Sequence, residues 1–281
     1  MNIIGLGKAG CRIAELFKEY SQYTVFKFDT DEELKKKKNC FYIPKQGSAE
    51  LYDANPINLK RLKSNLDEDE EMYFILCGSG KVSACSLWLL KEISDRKINI
   101  IYIKPDVSAM DQKSILRNRA HLNILQQYTR SGVFEKIFLI DNNMVSFIIG
   151  KTSIVNFFSK INNFIVSSIH WLNVYKNSDP IFDTFRDEYI SSKICSLSYL
   201  DMESEQSLET FYLKKCNQIK YFFGVNRIEA EEDENLLDKL NRIVTSDSDN
   251  KSVSVSYGVY PTDLKSGFSF AIKSSSEVQV E

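Results

Sequence analysis

Three glycines near the start of the chain are spaced so that a phosphate group could approach the backbone. The chain opens Met1-Asn-Ile-Ile-Gly5-Leu-Gly7-Lys-Ala-Gly10-Cys-Arg12, an apolar strand pattern that runs into Gly-x-Gly-x-x-Gly and then an amphipathic helical pattern. Glycines let the backbone approach a ligand, and a helix N-terminus offers N–H groups and partial positive charge. This order predicts a phosphate cradle; the alternative is a tight turn that binds nothing.

A second stretch repeats the order of strand, glycine loop and helix. Residues 73–77 form an uninterrupted apolar run, which is typical of a buried parallel strand. Gly78, Ser79, Gly80 and Lys81 follow it directly. Lysine in such a loop either neutralises phosphate or marks a site that has lost its ligand.

Strand and helix patterns alternate through the first 150 residues. Apolar strands are predicted at 23–28, 98–103 and 136–140, and they are followed by Asp29, by Lys104-Pro105 and by Asp141. Such alternation predicts a parallel sheet with helices on both faces.

The pattern changes after residue 150. From Thr152 to Tyr175 apolar residues recur at intervals of three and four, which predicts one long helix packed between two domains. Further on, residues 252–260 and 267–273 alternate apolar and polar side chains, and we interpret them as a hairpin that turns at Pro261.

We therefore predict an α/β fold with four parts. A Rossmann-like, parallel-sheet nucleotide-binding domain covers residues 1–150, and a long central helix covers 151–178. A smaller α+β C-terminal domain covers 179–275, and the polar tail at 276–281 is expected to be frayed.

Composition excludes several classes of protein. The chain has 281 residues and a net charge of -2, so bulk charge gives no reason to expect nucleic acid or an anionic membrane as partner. Six scattered cysteines and two separate histidines favour neither a disulfide framework nor a metal site. No apolar run suits a signal peptide or a membrane span, so we expect a cytoplasmic protein.

The order of these segments resembles the tubulin/FtsZ superfamily. The opening turn is similar to the family's first phosphate loop, and Asp-Thr-Asp at 29–31 resembles its Asn-Thr-Asp after the second strand. Residues 77–81 resemble a worn Gly-Gly-Thr/Ser-Gly-Thr/Ser signature, and Lys104-Pro105 matches the Lys-Pro that ends the next strand. Residues 253–272 resemble the closing hairpin of FtsZ, and the short chain resembles phage- or plasmid-borne members.

On the central helix, Phe158 and Asn162-Asn163 match the Phe-x-x-x-Asn-Asp that stacks on and hydrogen-bonds guanine in FtsZ. Read alone, the same pair would be a core phenylalanine and a solvated asparagine. The resemblance implies GTP or GDP with Mg²⁺, bound by the following residues: Gly5, Gly7, Lys8, Gly10, Cys11, Arg12, Asp29, Gly78, Ser79, Gly80, Lys81, Pro105, Arg117, Phe158 and Asn162. Cys11 is either a thiol tuned by the helix N-terminus or a small buried residue.

The resemblance also implies head-to-tail assembly of the chain with itself, because such contacts propagate into filaments. In the family, the loop Asn-x-Asp-x-x-Asp reaches the next subunit's nucleotide. Here the asparagine is missing, and the candidate catalytic acids Asp183 and Asp187 are four residues apart, which on a helix keeps both on one face. Slow, polymerisation-dependent hydrolysis would use them; a solvated helix start is the alternative.

Two other functions stay open. An NAD-dependent Rossmann dehydrogenase explains the first turn and Asp29, whose carboxylate would hold the ribose hydroxyls. It does not explain the second glycine loop, and neither His121 nor His170 lies in a recognisable hydride-transfer context. The third possibility is a tubulin-like scaffold that binds little or no nucleotide.

Overall fold

The computed structural model describes residues 1–67, 69–108, 110–186, 191–248, 252–264 and 267–279. The first elements are β1 (Asn2–Leu6), α1 (Gly7–Leu16), β2 (Thr24–Asp29), β3 (Cys40–Tyr42), α2 (Ala49–Ala54), α3 (Lys60–Lys63), β4 (Met72–Cys77), α4 (Ser86–Glu92), β5 (Ile98–Lys104), α5 (Gln112–Arg130), β6 (Lys136–Asp141), α6 (Asn142–Ile149) and α7 (Phe157–Lys176). They are followed by β7 (Phe182–Asp183), β8 (Ile194–Asp201), β9 (Gln206–Glu209), β10 (Gln218–Asn226), α8 (Arg227–Glu232), α9 (Leu236–Ser248), β11 (Ser254–Thr262) and β12 (Phe270–Ser275).

Parallel strands in the order β3-β2-β1-β4-β5-β6 form the N-terminal part of the sheet. Strands β4 and β5 are buried along almost their whole length, as apolar strands covered on both faces must be. Helices α1 and α7 pack on one face, and α4 and α5 pack on the other. The predicted α/β fold with a Rossmann-like sheet is confirmed.

Strand β8 was not predicted, yet it joins the two halves of the sheet. It pairs parallel with β6 and antiparallel with β12, so the order continues β6-β8-β12-β10-β11-β7, with β9 paired to β8. Ser196 and Ser198 are fully buried in this strand, and their polarity hides the apolar run expected of a buried strand. One sheet runs through both halves, and the domain boundaries at 150 and 178 stay predictions.

The predicted hairpin over residues 252–273 is wrong. Strands β11 and β12 lie on opposite sides of β10, which pairs parallel with β11 and antiparallel with β12. Pro261 does not turn the chain but lies inside β11. Alternating hydrophobicity locates a strand without naming its partner, and parallel neighbours need a crossover, which α8 and α9 provide here.

Helix α7 packs between the two halves of the molecule, as the sequence predicts. Ile165 and Ile169 are buried in the same apolar cluster as residues of α1. Towards its other end, the Tyr175 ring stacks on Tyr260 of β11, with 4.6 Å between the ring centroids. Burial of each aliphatic side chain contributes about 1.5–3 kcal/mol relative to exposure, so α7 ties the halves together.

Polar contacts fix the C-terminal end of α7 at the amino ends of the strands. Asn173 accepts a hydrogen bond from Tyr73 Oη at 2.8 Å and donates one to Tyr23 Oη at 3.1 Å. Lys176 pairs with Glu71, just before β4, at 3.1 Å. Helix α7 has 20 residues and is therefore about 30 Å long. Its first turns consequently lie at the opposite edge of the sheet, where the parallel strands end.

The C-terminal segment is docked on the protein, and the prediction of a frayed tail is wrong for residues 276–279. Val278 packs against the apolar core, and Gln279 is buried. The Gln126 side chain donates to Gln279 O at 3.0 Å and accepts from Gln279 N at 2.8 Å. A buried amide on a distant helix satisfies this polar backbone, and tail composition alone cannot reveal such a partner.

Candidate functional site

The parallel strands place their carboxyl ends side by side along one edge of the sheet. Because β1 and β4 are neighbours, the glycine loops that begin at Gly7 and Gly78 are adjacent. Strands β5 and β6 end beside them, with Lys104 in register with Asp141. In open α/β sheets, ligands bind in the crevice at this edge.

The first glycine turn leaves room for a ligand at one residue. Gly7 has a φ of 68°, a left-handed conformation that favours glycine, and a Cβ there would be uncrowded, with Val82 Cβ 4.0 Å away as its nearest neighbour. Helix α1 begins there with Leu6 as its N-cap, so no side chain caps the helix, and its first turn holds no acidic residue. The positive end of the helix therefore has no side-chain counter-charge of its own.

Gly5 and Gly10 serve packing instead. A Cβ on Gly5 would overlap the carbonyl group of Gly10, and a Cβ on Gly10 would overlap the carbonyl oxygen of Ile75 in β4. Their lack of a side chain lets α1 lie directly on β1 and β4. The three positions of the motif therefore require glycine for different reasons: Gly5 and Gly10 for close packing, and Gly7 for its backbone conformation.

Cys11 lies behind the turn as a protonated thiol. Its Sγ is 3.3 Å from Gly5 O and 3.4 Å from Phe28 O. Burial, and then the nearby Asp29 carboxylate, raises the pKa of Cys11 to about 12. These contacts and the raised pKa favour the interpretation as a small, partly buried residue over a thiol activated by the helix N-terminus.

Charged residues flank the first turn. Lys8 and Arg12 are exposed on α1, within reach of solvent anions. Asp29 ends β2, where its Oδ1 accepts a hydrogen bond from Thr30 N at 2.7 Å. This side chain lies at the correct edge for either the GTP or the NAD interpretation.

Residues of helix α5 hold the second glycine loop in place. Arg117 Nη1 donates to Ser79 O at 2.6 Å. Tyr102 Oη lies 2.8 Å from Asn118 Oδ1 and 2.9 Å from Asn118 O. Gly78 packs on that hydroxyl group, where a Cβ would overlap it. Arg117 therefore contacts the loop backbone, a role that the sequence did not predict.

The remaining groups of this loop also contact protein atoms. Lys81 Nζ donates to Gly47 O at 3.0 Å, so its ammonium group binds the neighbouring loop. Ser83 Oγ donates to Cys77 O. Gly80 is the N-cap of the 3₁₀ turn that follows, with no side-chain cap. Lys81, which the sequence assigns either to phosphate or to a site that has lost its ligand, thus has a protein partner.

At the ends of β5 and β6, one residue missed by the sequence analysis stands out. Lys104 Nζ pairs with Asp141 Oδ2 at 2.9 Å, and Pro105 beside it is buried. Asn142 Oδ1 is buried without a hydrogen-bond partner among the described residues. An unmade hydrogen bond of this kind costs about 1–3 kcal/mol, which makes Asn142 a candidate ligand contact. The position of Asn142 directly after strand β6 is the sequence signal that could have identified it as a candidate contact.

The first turns of α7 bring two predicted residues to this edge. Phe158 is 58% exposed, and its ring meets that of Phe157 edge to face at 5.3 Å. Asn162 lies one turn later and is half-buried. A spacing of four puts both on one helix face. Phe158 is not a core residue, which excludes the alternative of a simple packing side chain.

Apolar side chains crowd the surface around the start of α7. We call Phe147, Ile154, Val155 and Phe158 the apical patch. The first three are 84%, 91% and 86% exposed. Isolated exposed apolar residues are normal, whereas several on one part of the surface make it a candidate interaction surface.

A cavity of about 440 Å³ lies at the other end of α7, and we call it the basal cavity. Trp171 and Val174 of α7 form one wall, and Tyr260, Pro261 and Leu264 form another. The apical patch and the basal cavity are thus separated by the length of α7.

Asp183 lies far from the glycine turns of its own chain. It belongs to β7, which pairs with the edge of β11, so the predicted helical placement of this acid is wrong. Asp183 Oδ1 accepts a hydrogen bond from Phe185 N at 3.1 Å. Burial, and then Asp183, raises the pKa of Tyr260 to about 12. Asp187 lies outside the described residues.

The described residues contain no group of three or more histidine, cysteine or acidic side chains that could hold a metal ion. None of the described helices combines the length and apolar character needed to cross a membrane.

Known proteins were compared with the chain. No protein-family model and no curated protein sequence matches it. Among solved structures, an FtsZ dimer from M. jannaschii matches with a TM-score of 0.72 and 11% identity, over 100% of this chain and 89% of that chain. The chain has the tubulin/FtsZ fold.

Solved structures of TubZ match the chain at similar TM-scores. A GTPγS-form protofilament of TubZ from Bacillus thuringiensis serovar israelensis matches with a TM-score of 0.70 and 16% identity, over 97% of this chain and 86% of that chain. A helical model of a four-stranded TubZ-Bt filament reaches a TM-score of 0.74 at 14% identity, over 99% and 86% of the two chains.

Proposed function

We propose that this FtsZ-like chain binds GTP and GDP at the carboxyl edge of its sheet and assembles head to tail into cytoplasmic filaments. One observation carries the nucleotide part: the uncapped start of α1, the unpartnered Asn142 Oδ1 and the Phe158–Asn162 face lie along a single edge. Phosphate-binding and base-binding groups are therefore available together.

The phosphates would lie at Gly7 and the first turn of α1. Backbone N–H groups there point out of the helix end, which carries roughly half a positive charge. Lys8 and Arg12 add positive charge at the exposed surface. Mg²⁺ would be held mainly by phosphate oxygens and water, since it needs only one or two protein carboxylates in such sites.

The base would stack on Phe158 and bond to Asn142 and Asn162. Amide side chains offer both donors and acceptors, as the hydrogen-bonding edge of guanine requires. A site built on such bonds rejects a base that leaves its buried groups unpaired. The match of Phe158 and Asn162 to the guanine-binding Phe-x-x-x-Asn-Asp pattern supports guanine over adenine.

Matched asparagine variants test the base contact. Asn163 is the exposed neighbour of Asn162 on α7. We expect Asn162→Ala to weaken GTP binding about tenfold, the usual effect of one lost ligand hydrogen bond, and Asn163→Ala to leave it within about twofold. Equal affinity of both variants in calorimetry would contradict the assignment.

Assembly is supported by the apical patch and the basal cavity. A filament whose copies stack along the α7 axis would place the apical patch of one copy in the basal cavity of the next. Contacts between unlike surfaces are heterologous, so they propagate unless they close into a ring. Similar structures of TubZ are protofilaments and filaments, which agrees with this arrangement.

One charge in the apical patch tests assembly. Val155→Asp should abolish pelleting with GTP and Mg²⁺, because removing a carboxylate from water into a mostly apolar contact strongly opposes that contact. Tyr212→Asp is the matched control, since Tyr212 is 67% exposed and lies outside the patch. Pelleting by Val155→Asp at the wild-type protein concentration would exclude the patch as an interface.

We propose that hydrolysis is slow and depends on assembly. Asp183 lies beyond the far end of α7, so it reaches a phosphate only on a neighbouring copy. Asp183 and Asp187 would then polarise the attacking water. Phosphate release that is unchanged in the Asp183→Ala, Asp187→Ala double variant would remove this assignment.

A tubulin-like scaffold with little nucleotide binding is the second candidate. It is favoured by the second glycine loop, where Lys81 Nζ donates to Gly47 O and Arg117 Nη1 donates to Ser79 O. These polar groups already have protein partners within the chain. Failure to bind any guanine nucleotide, with filaments still formed, would select this function.

Binding of NAD that is unchanged in Asn162→Ala would select the dehydrogenase.

A further inference from the structure

We propose that the C-terminal segment, residues 276–279, positions the second glycine loop by clamping helix α5. The effect on the loop stands on contacts within the chain. The consequence for GTP affinity rests on the proposed function.

The clamp is a pair of buried hydrogen bonds. Gln126 of α5 is fully buried and holds the backbone of Gln279 through both its amide nitrogen and its amide oxygen, at 3.0 and 2.8 Å. The Gln279 side chain in turn accepts a hydrogen bond from Lys214 N at 2.9 Å. Without the segment, the polar atoms of Gln126 would lose their protein partner inside the core, which is unfavourable.

The same helix holds the loop at its other end. Arg117 binds Ser79 O, and Asn118 binds the Tyr102 hydroxyl group on which Gly78 rests. Asn118 is fully buried. A shift of α5 therefore moves both the donor to Ser79 and the support of Gly78.

Helix α5 is a continuous segment of 19 residues from Gln112 to Arg130. Asn118 and Gln126 are eight residues apart in the sequence, which is about 12 Å along the helix. Leu122 and Leu125 between them are buried in the core. Close-packed interiors transmit displacements, so loss of the clamp at Gln126 should loosen the contacts at Arg117 and Asn118. Gln126 and residues 276–279 are positioning residues for the loop.

Hydrogen exchange of the nucleotide-free protein tests the clamp directly. Gln126→Leu keeps the size of the side chain and removes its bonds. Gln127→Leu is the matched control, because Gln127 is the exposed neighbour on the same helix. A chain that ends after Ser275 removes the clamp from the other side. We expect exchange at residues 78–81 to be about tenfold faster in Gln126→Leu and in the shortened chain, and unchanged in Gln127→Leu.

Combining Gln126→Leu with the shortened chain should accelerate exchange at residues 78–81 no further than the shortened chain alone, because the shortening already removes the partner of Gln126. A peptide from β10 serves as the internal reference. Unchanged exchange at 78–81 in both clamp variants would overturn the proposal. Equal acceleration in β10 would also overturn it, since that result would show general destabilisation.

GTP affinity then separates this inference from the proposed function. If the wild-type chain binds GTP and Gln126→Leu binds it about fivefold or more weakly, both proposals stand. If the loop loosens but even the wild-type chain does not bind GTP, the clamp stands and the proposed function fails. If GTP binds both proteins equally although the loop has loosened, the loop is not part of the binding site.

Discussion

The two glycine loops lie side by side at one edge of the sheet, yet their surroundings differ. Gly7 in the first loop lies at an uncapped helix end, and the position of its missing Cβ is uncrowded. In the second, Gly78, Ser79 and Lys81 each contact another part of the chain. The comparison shows that glycine spacing alone does not identify a ligand site. The test is whether the turn's polar groups already have protein partners.

The largest effect should come from separating packing glycines from the ligand-facing one. Gly10→Ala places a methyl group on the backbone oxygen of Ile75, and we expect it to lower the free energy of unfolding by about 3 kcal/mol. Gly7→Ala has room for its methyl group and strains only φ, which costs about 1–2 kcal/mol. Urea unfolding measures both. Equal losses would remove the distinction between the two roles.

A smaller effect should follow from releasing the second loop. Arg117→Met keeps much of the side-chain length and removes the bond to Ser79 O. We expect a loss of about 1–2 kcal/mol in unfolding free energy, with faster hydrogen exchange at residues 78–81. Arg130→Met, at the exposed end of α5, is the control. If the two variants behave alike, the arginine does not hold the loop.

The smallest effect concerns the thiol behind the first turn. With its pKa raised to about 12 by burial, Cys11 should react slowly with iodoacetamide at neutral pH. The thiolate is the reactive form and its fraction grows as the pH rises, so the rate of alkylation should increase about tenfold per pH unit from pH 7 to pH 9. Mass spectrometry of the peptide that contains Cys11 measures this rate, and the Cys11→Ser variant serves as the blank. A rate that levels off below pH 9 would mean an activated thiol.

The sequence was most informative where structure is local. The first turn, the buried strands and α7 follow from spacing within a few residues, and Phe158 and Asn162 lie where that helix places them. Long-range pairing was not predictable in the same way. The buried polar residues Ser196 and Ser198 interrupt the apolar pattern that would have predicted β8. Strand β10 lies between β11 and β12, which the sequence predicts to pair directly as a hairpin.

The candidate site shows the same limit. Asn142 Oδ1 is buried without a hydrogen-bond partner in the described part of the chain, and the Lys81 ammonium group donates to Gly47 O. Both facts depend on residues distant in sequence. Asp183 was expected on a helix face and lies in a strand, because β11 provides an edge for it.

Equilibrium binding of GTP, GDP, ATP and NAD to the wild-type monomer tests the central claim most directly. Calorimetry at one salt concentration with Mg²⁺ would compare all four. We expect GTP and GDP to bind at least about tenfold more tightly than ATP and NAD, because Phe158 and Asn162 match the guanine-binding pattern that the chain resembles. Preferred binding of NAD, or no binding of GTP and GDP, would contradict the account.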